Sequence, residues 1–357
     1  MPNYPASFSI VFNMPSFQFT PHLTRLFCLL ALSFVPASLF GQGCVIARGG
    51  GGAMILDGSG FLEAKQWQLN VAHRWFESDR HFVGDDEQKH RQAQGTEVIN
   101  NSHFLDITAT YAVSKRLNLN LTLPFSKHDR SSLYEHSGNS GGRFHTQSEG
   151  LGDVRVGANY WVFNPDTTHR GNLSVGFSIK APTGDYTAKD IFMRPNGPTI
   201  RYVDSSIQPG DGGWGWSIDL QGFHHLFGNA TAYGNASYLF NPKERVAVTN
   251  YSVPDSYLAR GGVEFAIHAA PGLGLSIGGR IEGVPGNDAF GGSRGSRRPG
   301  FSVAIEPGVS FTKGRFFGTL TVPIAVHHRR STTFGSVRAG DAAFADYTIN
   351  SSVGVRF

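Results

Sequence analysis

From residue 66 to the C-terminus, apolar and polar side chains alternate along the chain with a period of two. This period is that of a β-strand whose two faces meet different surroundings. Twelve segments show it, at 66–76, 102–112, 117–126, 150–163, 171–181, 212–223, 229–240, 256–268, 273–283, 300–311, 315–327 and 345–357. Since a tilted strand crosses the bilayer core in about 9–11 residues, segments of this length predict a transmembrane sheet.

The two faces of these segments differ in charge as well as in hydropathy. In the third segment, one face carries Leu117, Leu119, Leu121, Leu123 and Phe125, and the other carries Asn118, Asn120 and Thr122. Charged residues near the middle of the segments fall on the polar face, as expected where a charge facing lipid costs about 2–4 kcal/mol. The pattern predicts an all-β fold, a transmembrane antiparallel up-and-down β-barrel of about twelve strands. The seventh segment has ambiguous faces, because Gly and Ala dominate it.

Short connections alternate with long ones along the chain. The short ones fall at 113–116, 164–170, 224–228, 269–272 and 312–314, and the long ones at 77–101, 127–149, 182–211, 241–255, 284–299 and 328–344. Short periplasmic turns and longer extracellular loops are typical of bacterial outer-membrane barrels. Aromatic residues near both strand ends indicate two interfacial girdles. The last residue, Phe357, resembles the signal that the barrel assembly machinery reads, so this machinery and outer-membrane lipid are the expected partners.

Composition argues against other protein classes. The mean hydropathy is -0.20, and no apolar run after the first 40 residues is long enough for a membrane helix. The net charge is only +4, without a basic face that interleaves aromatic residues, so nucleic acid is not an expected partner. A soluble β-sandwich also alternates, but it rarely combines twin aromatic belts with this asymmetry of loop length.

The N-terminal segment has the order of a secretory signal peptide. Arg25 precedes an apolar run that begins at Leu26, and small residues follow at Gly41 and Gly43. We therefore expect residues 1–43 to be a signal peptide that is removed.

Three further expectations follow from cleavage after Gly43. Residues 44–65 form a Gly-rich segment that is either a plug or a tail, and residues 66–357 form the barrel. Cys44 becomes the first residue, which leaves lipidation as an alternative. Because Cys28 lies in the signal peptide, the mature chain has one cysteine and no internal disulfide.

Four motifs between the second and sixth segments carry a family resemblance. They are Gly150-Leu151-Gly152-Asp153-Val154-Arg155-Val156-Gly157 with Tyr160-Trp161, Arg116-Leu117 with Leu123-Pro124-Phe125, Lys180-Ala181-Pro182-Thr183-Gly184-Asp185, and Gln208-Pro209-Gly210-Asp211-Gly212-Gly213-Trp214. In this part of the chain the sequence resembles the meta-pathway phenol-degradation (MetA-pathway) outer-membrane proteins, which are related to FadL-like hydrophobic-compound channels. The resemblance implies passive uptake of small hydrophobic or aromatic compounds and, by analogy, an N-terminal hatch. It brings no catalytic or binding residues with it.

The charged residues of the polar faces are the candidates for lining the lumen. They are Arg74, Asp106, Asp153, Arg155, Lys180, Asp219, Arg260, Glu264, Arg280, Glu282, Glu306 and Arg356. Basic and acidic residues are equally represented, whereas a charge-selective pore shows rings of one sign. These residues can form ion pairs that fill the barrel, line a polar path for a solute, or do both. Twelve strands lie between the eight that fill with side chains and the 16–18 that leave a channel, so we expect a narrow or plugged lumen.

No motif predicts a cofactor, a metal site or an enzyme. His327 and His328 stand at the start of a predicted loop without the spacing of a zinc or EF-hand site. A hydrolase of the outer membrane needs Ser and His together on the lipid-facing wall. His73 and His103 can approach that wall, but no Ser-Asn-Gly-type segment accompanies them. We therefore expect a passive channel or transporter-like barrel; a structural or adhesive barrel is the alternative, and a hydrolase a third.

Overall fold

The computed structural model describes residues 61–136, 142–168, 170–331, 333–334, 337–338 and 340–357 of the chain. The expected signal peptide, Cys44 and residues 44–60 of the expected Gly-rich segment lie outside the described residues. No helix in the described part of the chain is long and apolar enough to cross a membrane.

The described residues form β-strands almost throughout, numbered here in chain order. The strands are β1 (Trp67–Ser78), β2 (Arg80–Val83), β3 (Asp86–Glu87), β4 (Ile99–Ala112), β5 (Leu117–Ser132), β6 (Phe144–Leu151), β7 (Arg155–Trp161), β8 (Gly171–Lys180), β9 (Lys189–Phe192), β10 (Thr199–Tyr202), β11 (Gly215–Phe227), β12 (Ala230–Phe240), β13 (Ser256–Ala266), β14 (Leu273–Val284), β15 (Gly300–Lys313), β16 (Phe316–Thr321), β17 (Ile324–Arg330), β18 (Thr333–Phe334), β19 (Val337–Arg338), β20 (Ala342–Phe344) and β21 (Thr348–Arg356). A short helix α1 (His90–Ala93) and a 3-10 turn (Ser205–Ile207) lie in the loops.

One large sheet closes on itself. Its order runs β14–β13–β12–β11–β8–β7–β5–β4–β1–β21–β16–β15, and β14 also pairs with β15. β6 and β7 follow each other along β5 and together make one wall strand, and β16 and β17 do the same along β15. Neighbouring wall strands are antiparallel, and β1 pairs with β21 from Gln68 opposite Arg356 to Phe76 opposite Thr348. The prediction of a twelve-strand antiparallel barrel is confirmed.

The alternation in sequence sorts side chains between the outside and the inside of this sheet. In β5, Leu119 and Leu121 are 46% and 42% exposed on the outer surface, whereas Asn118 and Asn120 face the interior. The same division holds in β1, where Val71 is exposed and Asn70 is buried. An outer surface this rich in exposed apolar side chains needs an apolar environment.

The ambiguous seventh segment, β12, acquires its facing from its neighbour. Asn235 and Ser237 lie opposite inward-facing residues of β11 and line the interior. Gly234 and Ala236 alternate with these residues, and Ala236 lies opposite the exposed Leu220 of β11. Small outward side chains carry no polar-apolar contrast, which is why the period of two was hard to read in this strand.

Some wall strands run further than the prediction. β5 continues to Ser132 rather than ending at 126, and it pairs there with β6. Beyond Phe125 polar residues occupy both faces, with Lys127 outward and His128 buried inward. The alternation of hydropathy thus stops before the hydrogen-bonded ladder does.

The prediction of a continuous strand over 150–163 is wrong. The wall strand breaks at 152–154, between β6 and β7. There the carboxylate of Asp153 accepts hydrogen bonds from the backbone N–H groups of Gly184 and Asp211, both at 3.0 Å. These partners come from the connection that follows β8, so the break is held by tertiary contacts.

The predicted segment 315–327 is interrupted as well. Pro323 separates β16 from β17 and has no backbone N–H to give to the ladder. The N–H of Val322 still bonds the carbonyl of Pro307 on β15 at 3.0 Å, and β15 pairs with β17 in the same register from Ile305 opposite Ile324; a register shift follows only between Ala304 and Val303. The barrel therefore stays closed across the interruption.

The two ends of the barrel differ. At the short-turn end, tight turns such as 113–116 join neighbouring strands. At the long-loop end, the connections carry structure of their own, including the hairpin β9–β10 and a small sheet of β2, β3 and β20. Phe82, Ala342 and Phe344 form a buried apolar cluster in that small sheet region.

Candidate functional site

The interior of the barrel contains a cavity of about 280 Å³. Strands from β1 around to β21 contribute to its lining, and most of the contributing side chains carry a hydroxyl or an amide. Examples are Asn70, Thr108, Asn120, Asn159, Ser178 and Asn235. Such groups offer both donors and acceptors of hydrogen bonds without net charge. The lumen is therefore a polar compartment inside an apolar shell.

Five charged side chains form a continuous series of ion pairs in this interior, which we call the interior ion chain. Arg74 donates to Glu282 at 2.7 Å, and Arg280 donates to the other oxygen of Glu282 at 2.9 Å. Arg280 also reaches Glu306 at 3.3 Å, and Arg260 donates to Glu306 at 3.0 Å. Each carboxylate thus binds two guanidinium groups. The chain holds three positive and two negative groups, a surplus of one positive charge.

The interior ion chain crosses the lumen rather than following the wall. Arg74 lies on β1 and Glu282 on β14, and β21, the β16–β17 strand and β15 separate them in the sheet. Their contact at 2.7 Å therefore spans a chord of the barrel and narrows its interior. Because Glu306 is only 1% exposed, the interior ion chain also fills part of the barrel interior and has a structural role.

Of the twelve charged residues assigned to the lumen from sequence, seven line the cavity: Arg74, Asp106, Arg155, Asp219, Arg260, Arg280 and Arg356. Asp219 accepts a hydrogen bond from Ser217 at 2.8 Å. Arg356 donates to Gln68 at 3.3 Å, and its guanidinium lies 4.9 Å from the ring centroid of Phe317. These charges therefore have partners inside the barrel, on the same strand, on the next strand or across the lumen.

The other five residues are buried beside the cavity. Glu282 and Glu306 belong to the interior ion chain. Glu264 is 3% exposed and accepts a hydrogen bond from Ser310 at 2.9 Å. Asp153 and Lys180 form a separate cluster at the break between β6 and β7.

In this cluster the motifs that carry the family resemblance meet in space. Lys180 is 2% exposed and pairs with Asp211 and, at 3.8 Å, with Asp153. The glycines beside these residues are packed backbone to backbone. A Cβ on Gly184 would lie 2.7 Å from the Cα of Gly210 and 2.9 Å from that of Gly152. The residues of these motifs therefore form one close-packed cluster in the barrel wall.

An aromatic cluster lies at the short-turn end, and its contacts were not predicted from the sequence. Leu62 is 3% exposed and lines the cavity immediately before β1. The ring of Phe61 packs 4.9 Å from Trp161 and 5.8 Å from Phe223, both buried. Trp161 and Phe223 are large aromatics at inward positions of β7 and β11, which was the available signal. The end of the expected Gly-rich segment thus contacts the inner wall.

The long-loop end is covered by the connection between β10 and β11. Val203 and Ile207 in this connection are fully buried. Asp204 accepts two hydrogen bonds from Arg298, both at 2.5 Å, and lies 3.7 Å from Arg130 of β5. Burial opposes ionisation of Asp204, but the two guanidinium groups outweigh it and lower the pKa of this carboxyl far below its usual range. An ionised clamp therefore fixes the loop over the lumen.

In the parts of the chain that the structure describes, no group of three or more His, Cys, Asp or Glu is placed to hold a metal ion. The buried charges described above are instead engaged with one another.

Comparisons with known proteins support the fold. No protein-family model and no curated protein matches the chain. An outer membrane channel from Pseudomonas putida F1 aligns with a TM-score of 0.55 and 13% identity, over 83% of this chain and 97% of that one. The translocator domain of the autotransporter NalP from Neisseria meningitidis gives 0.42 and 11%, over 85% and 91%. The Pseudomonas putida toluene transporter TodX gives 0.38 and 9%, over 83% and 90%. The last two are too distant in geometry to carry an argument, and the first shows that this chain shares the barrel fold of an outer membrane channel.

Proposed function

We propose that this protein is a passive channel of the bacterial outer membrane for small solutes, in particular small hydrophobic or aromatic compounds. The observation that carries the proposal is the cavity of about 280 Å³ inside a closed barrel whose outer surface is apolar. A purely structural barrel of this size has no need of an interior space lined by hydrogen-bonding groups.

The lining favours neutral solutes over ions. Five basic and two acidic side chains line the cavity, and the carboxylates of Glu282 and Glu306, which pair with three of the five arginines, reduce the net charge of this group to one positive charge. Phe104 and Leu258 add apolar surface to the hydroxyl and amide groups of the wall. A neutral compound with an apolar body and one polar substituent can therefore replace its water contacts by contacts with the wall. An ion would also have to give up the hydration of its charge, which costs much more free energy.

We also propose that the protein is related to the MetA-pathway outer-membrane proteins. The resemblance to the MetA-pathway outer-membrane proteins rests on motifs whose residues, among them Asp153, Lys180 and Asp211, pack together in one cluster. Spatial convergence of motifs that are distant in sequence supports a shared wall architecture. The choice of aromatic compounds as solutes rests on this resemblance.

Location and assembly complete the proposal. With the short-turn end in the periplasm and the long-loop end outside, outer-membrane lipid surrounds the apolar face. Phe357 is 63% exposed on that face, while its backbone exchanges hydrogen bonds of 2.9 and 2.8 Å with Trp67. A terminal aromatic at the closing seam is accessible to the barrel assembly machinery before β1 and β21 pair.

Flux through reconstituted vesicles tests the channel. We expect the purified protein to admit phenol-sized neutral aromatics faster than benzoate-like anions of the same size, and both faster than protein-free vesicles. A folded protein, as judged by its heat-modifiable electrophoretic mobility, that shows neither flux nor conductance would contradict the proposal. It would favour the alternative of a structural or adhesive barrel. Deletion of residues 44–60 distinguishes the two alternatives for the Gly-rich segment in the same assay. The deletion should raise the flux if the segment is a plug and leave it unchanged if the segment is a tail.

A further inference from the structure

One side of the outer surface carries polar groups among apolar neighbours. His73 of β1 and His103 of β4 occupy outward positions, and Lys127 of β5 lies directly opposite His103 in the sheet. We call these three residues the histidine patch. His73 also borders the luminal cavity, but its ring contacts His103 in the outward row of exposed side chains, so the channel proposed above does not use these three side chains.

The two imidazoles of the patch are hydrogen-bonded to each other. His73 Nε2 lies 3.2 Å from His103 Nδ1, and the rings are stacked with centroids 5.4 Å apart. This bond uses one nitrogen of each ring. Among the described residues, neither ring has a second hydrogen bond. The second nitrogens, Nδ1 of His73 and Nε2 of His103, are therefore available to a ligand at this exposed pair.

The position of the patch along the strands is that of the boundary between the apolar belt and the lipid headgroups. His73 is in one row with Leu105, Phe125 and Leu151, which are 36–38% exposed. In the next row toward the long-loop end, His103 lies beside Trp75, whose ring is 5.9 Å from that of Tyr347. Aromatic rings of this kind prefer the headgroup layer.

The charge of the patch is suited to an anion. Lys127 contacts Glu149 at 3.4 Å, but both side chains are about 70% exposed, so this pair is loose. An imidazole gains a second donor and a positive charge when it is protonated. Polar side chains that face lipid are costly unless they have a partner. When one imidazole of the pair is protonated, both rings and the ammonium at headgroup depth can together donate to the oxygens of one phosphate.

We propose that the histidine patch binds the phosphate of an outer-leaflet lipid, whose acyl chains lie along Leu105 and Phe125. The inference rests on the proposed membrane location, although it concerns the outer wall and not the lumen. A hydrolytic role is the competing reading, since Ser351 lies opposite His73 on β21. Hydrolysis requires a Ser–His hydrogen bond, and the described contacts of Ser351 and His73 include none between them.

Lipid affinity of the purified full chain in detergent micelles tests the inference. The probes are lipid A with its phosphates, dephosphorylated lipid A, and inorganic phosphate, each titrated and followed by native mass spectrometry. We expect H73L/H103L to bind phosphorylated lipid A about tenfold more weakly than wild type, since one charge-assisted hydrogen bond accounts for about that factor. The matched control H224L, which removes an outward imidazole on β11, should keep wild-type affinity.

Leucine suits a lipid-facing position, so the double variant should fold and keep its solute flux. If it does not fold, K127Q replaces it as the test and should weaken binding in the same direction. Equal affinities of wild type and H73L/H103L, or equal affinity of wild type for both forms of lipid A, would overturn the inference. Tight binding of inorganic phosphate without binding of lipid A would also overturn it. So would a hydrolytic activity of the patch, seen as release of fatty acids from lipid by the wild type that H73L/H103L loses while its lipid binding is unchanged. A wild-type protein that binds phosphorylated lipid A but shows no solute flux would instead count against the channel.

Discussion

Replacing Glu306 by glutamine tests the interior ion chain. Glu306 is 1% exposed and accepts hydrogen bonds from Arg260 at 3.0 Å and from Arg280 at 3.3 Å. Removing one partner of a buried ion pair costs about 3–5 kcal/mol, because the remaining charge stays buried. Arg280 keeps its contact with Glu282 at 2.9 Å, and glutamine retains one oxygen acceptor. We therefore expect the lower end, about 3 kcal/mol of unfolding free energy, or roughly 100-fold in the unfolding equilibrium.

The loss is measured by urea unfolding of the barrel in lipid vesicles, followed by tryptophan fluorescence. Glu63→Gln is the matched control, because Glu63 is 63% exposed and its partner Lys115 also contacts Asp166 at 2.6 Å. We expect no measurable change in this control. The E306Q variant should also shift conductance toward anions, since the surplus charge of the ion chain rises from one to two. Equal unfolding midpoints for E306Q and E63Q would refute a stabilising role for the chain.

Three further predictions concern the two ends of the barrel and its seam. The folded pKa of Asp204 is lowered, so its clamp contributes stability at neutral pH and loses it only below about pH 4; the protection factors of the amides of residues 203–208, which correct for the intrinsic pH dependence of exchange, should be constant between about pH 5 and 8 in wild type and lower in D204N, and equal protection factors would contradict the clamp. Trp161→Ala removes a side chain that is 3% exposed and packs on Phe61; it should cost about 3 kcal/mol of unfolding free energy and raise solute flux, whereas unchanged flux would show that the aromatic cluster does not limit passage. Phe357→Ala should lower the heat-modifiable fraction of the protein in cell membranes without preventing refolding in vitro, and wild-type assembly would exclude the terminal aromatic as a recognition element.

The strand pattern could be read from the sequence where lipid and lumen impose opposite demands on alternate residues. This holds in β5 up to Phe125, where leucine and asparagine alternate, and fails beyond it, where both faces are polar. It also fails at Asp153, because the two N–H groups that bind this carboxylate come from other connections. Local periodicity contains no information about such partners.

In the lumen, too, the facing of a side chain can be predicted from the local sequence, whereas its contacts with distant residues cannot. The inward facing of Arg74 follows from its position between outward residues of β1. Its contact with Glu282, 208 residues away, depends on how the sheet closes and could not be read from either strand. The roles of Phe61 and Asp204 were missed for the same reason, since each acts through contacts across the interior or across loops.

Spin-label accessibility along residues 118–123 of β5 is the most direct test of a water-filled lumen surrounded by a lipid-facing wall. Single cysteines would be introduced into a chain whose two native cysteines, Cys28 and Cys44, are replaced by serine. After reconstitution, labels at 119, 121 and 123 should be relaxed by oxygen dissolved in the bilayer, and labels at 118, 120 and 122 by an aqueous nickel reagent. Accessibility that does not alternate, or nickel that reaches none of the even positions, would contradict an aqueous interior enclosed by this sheet.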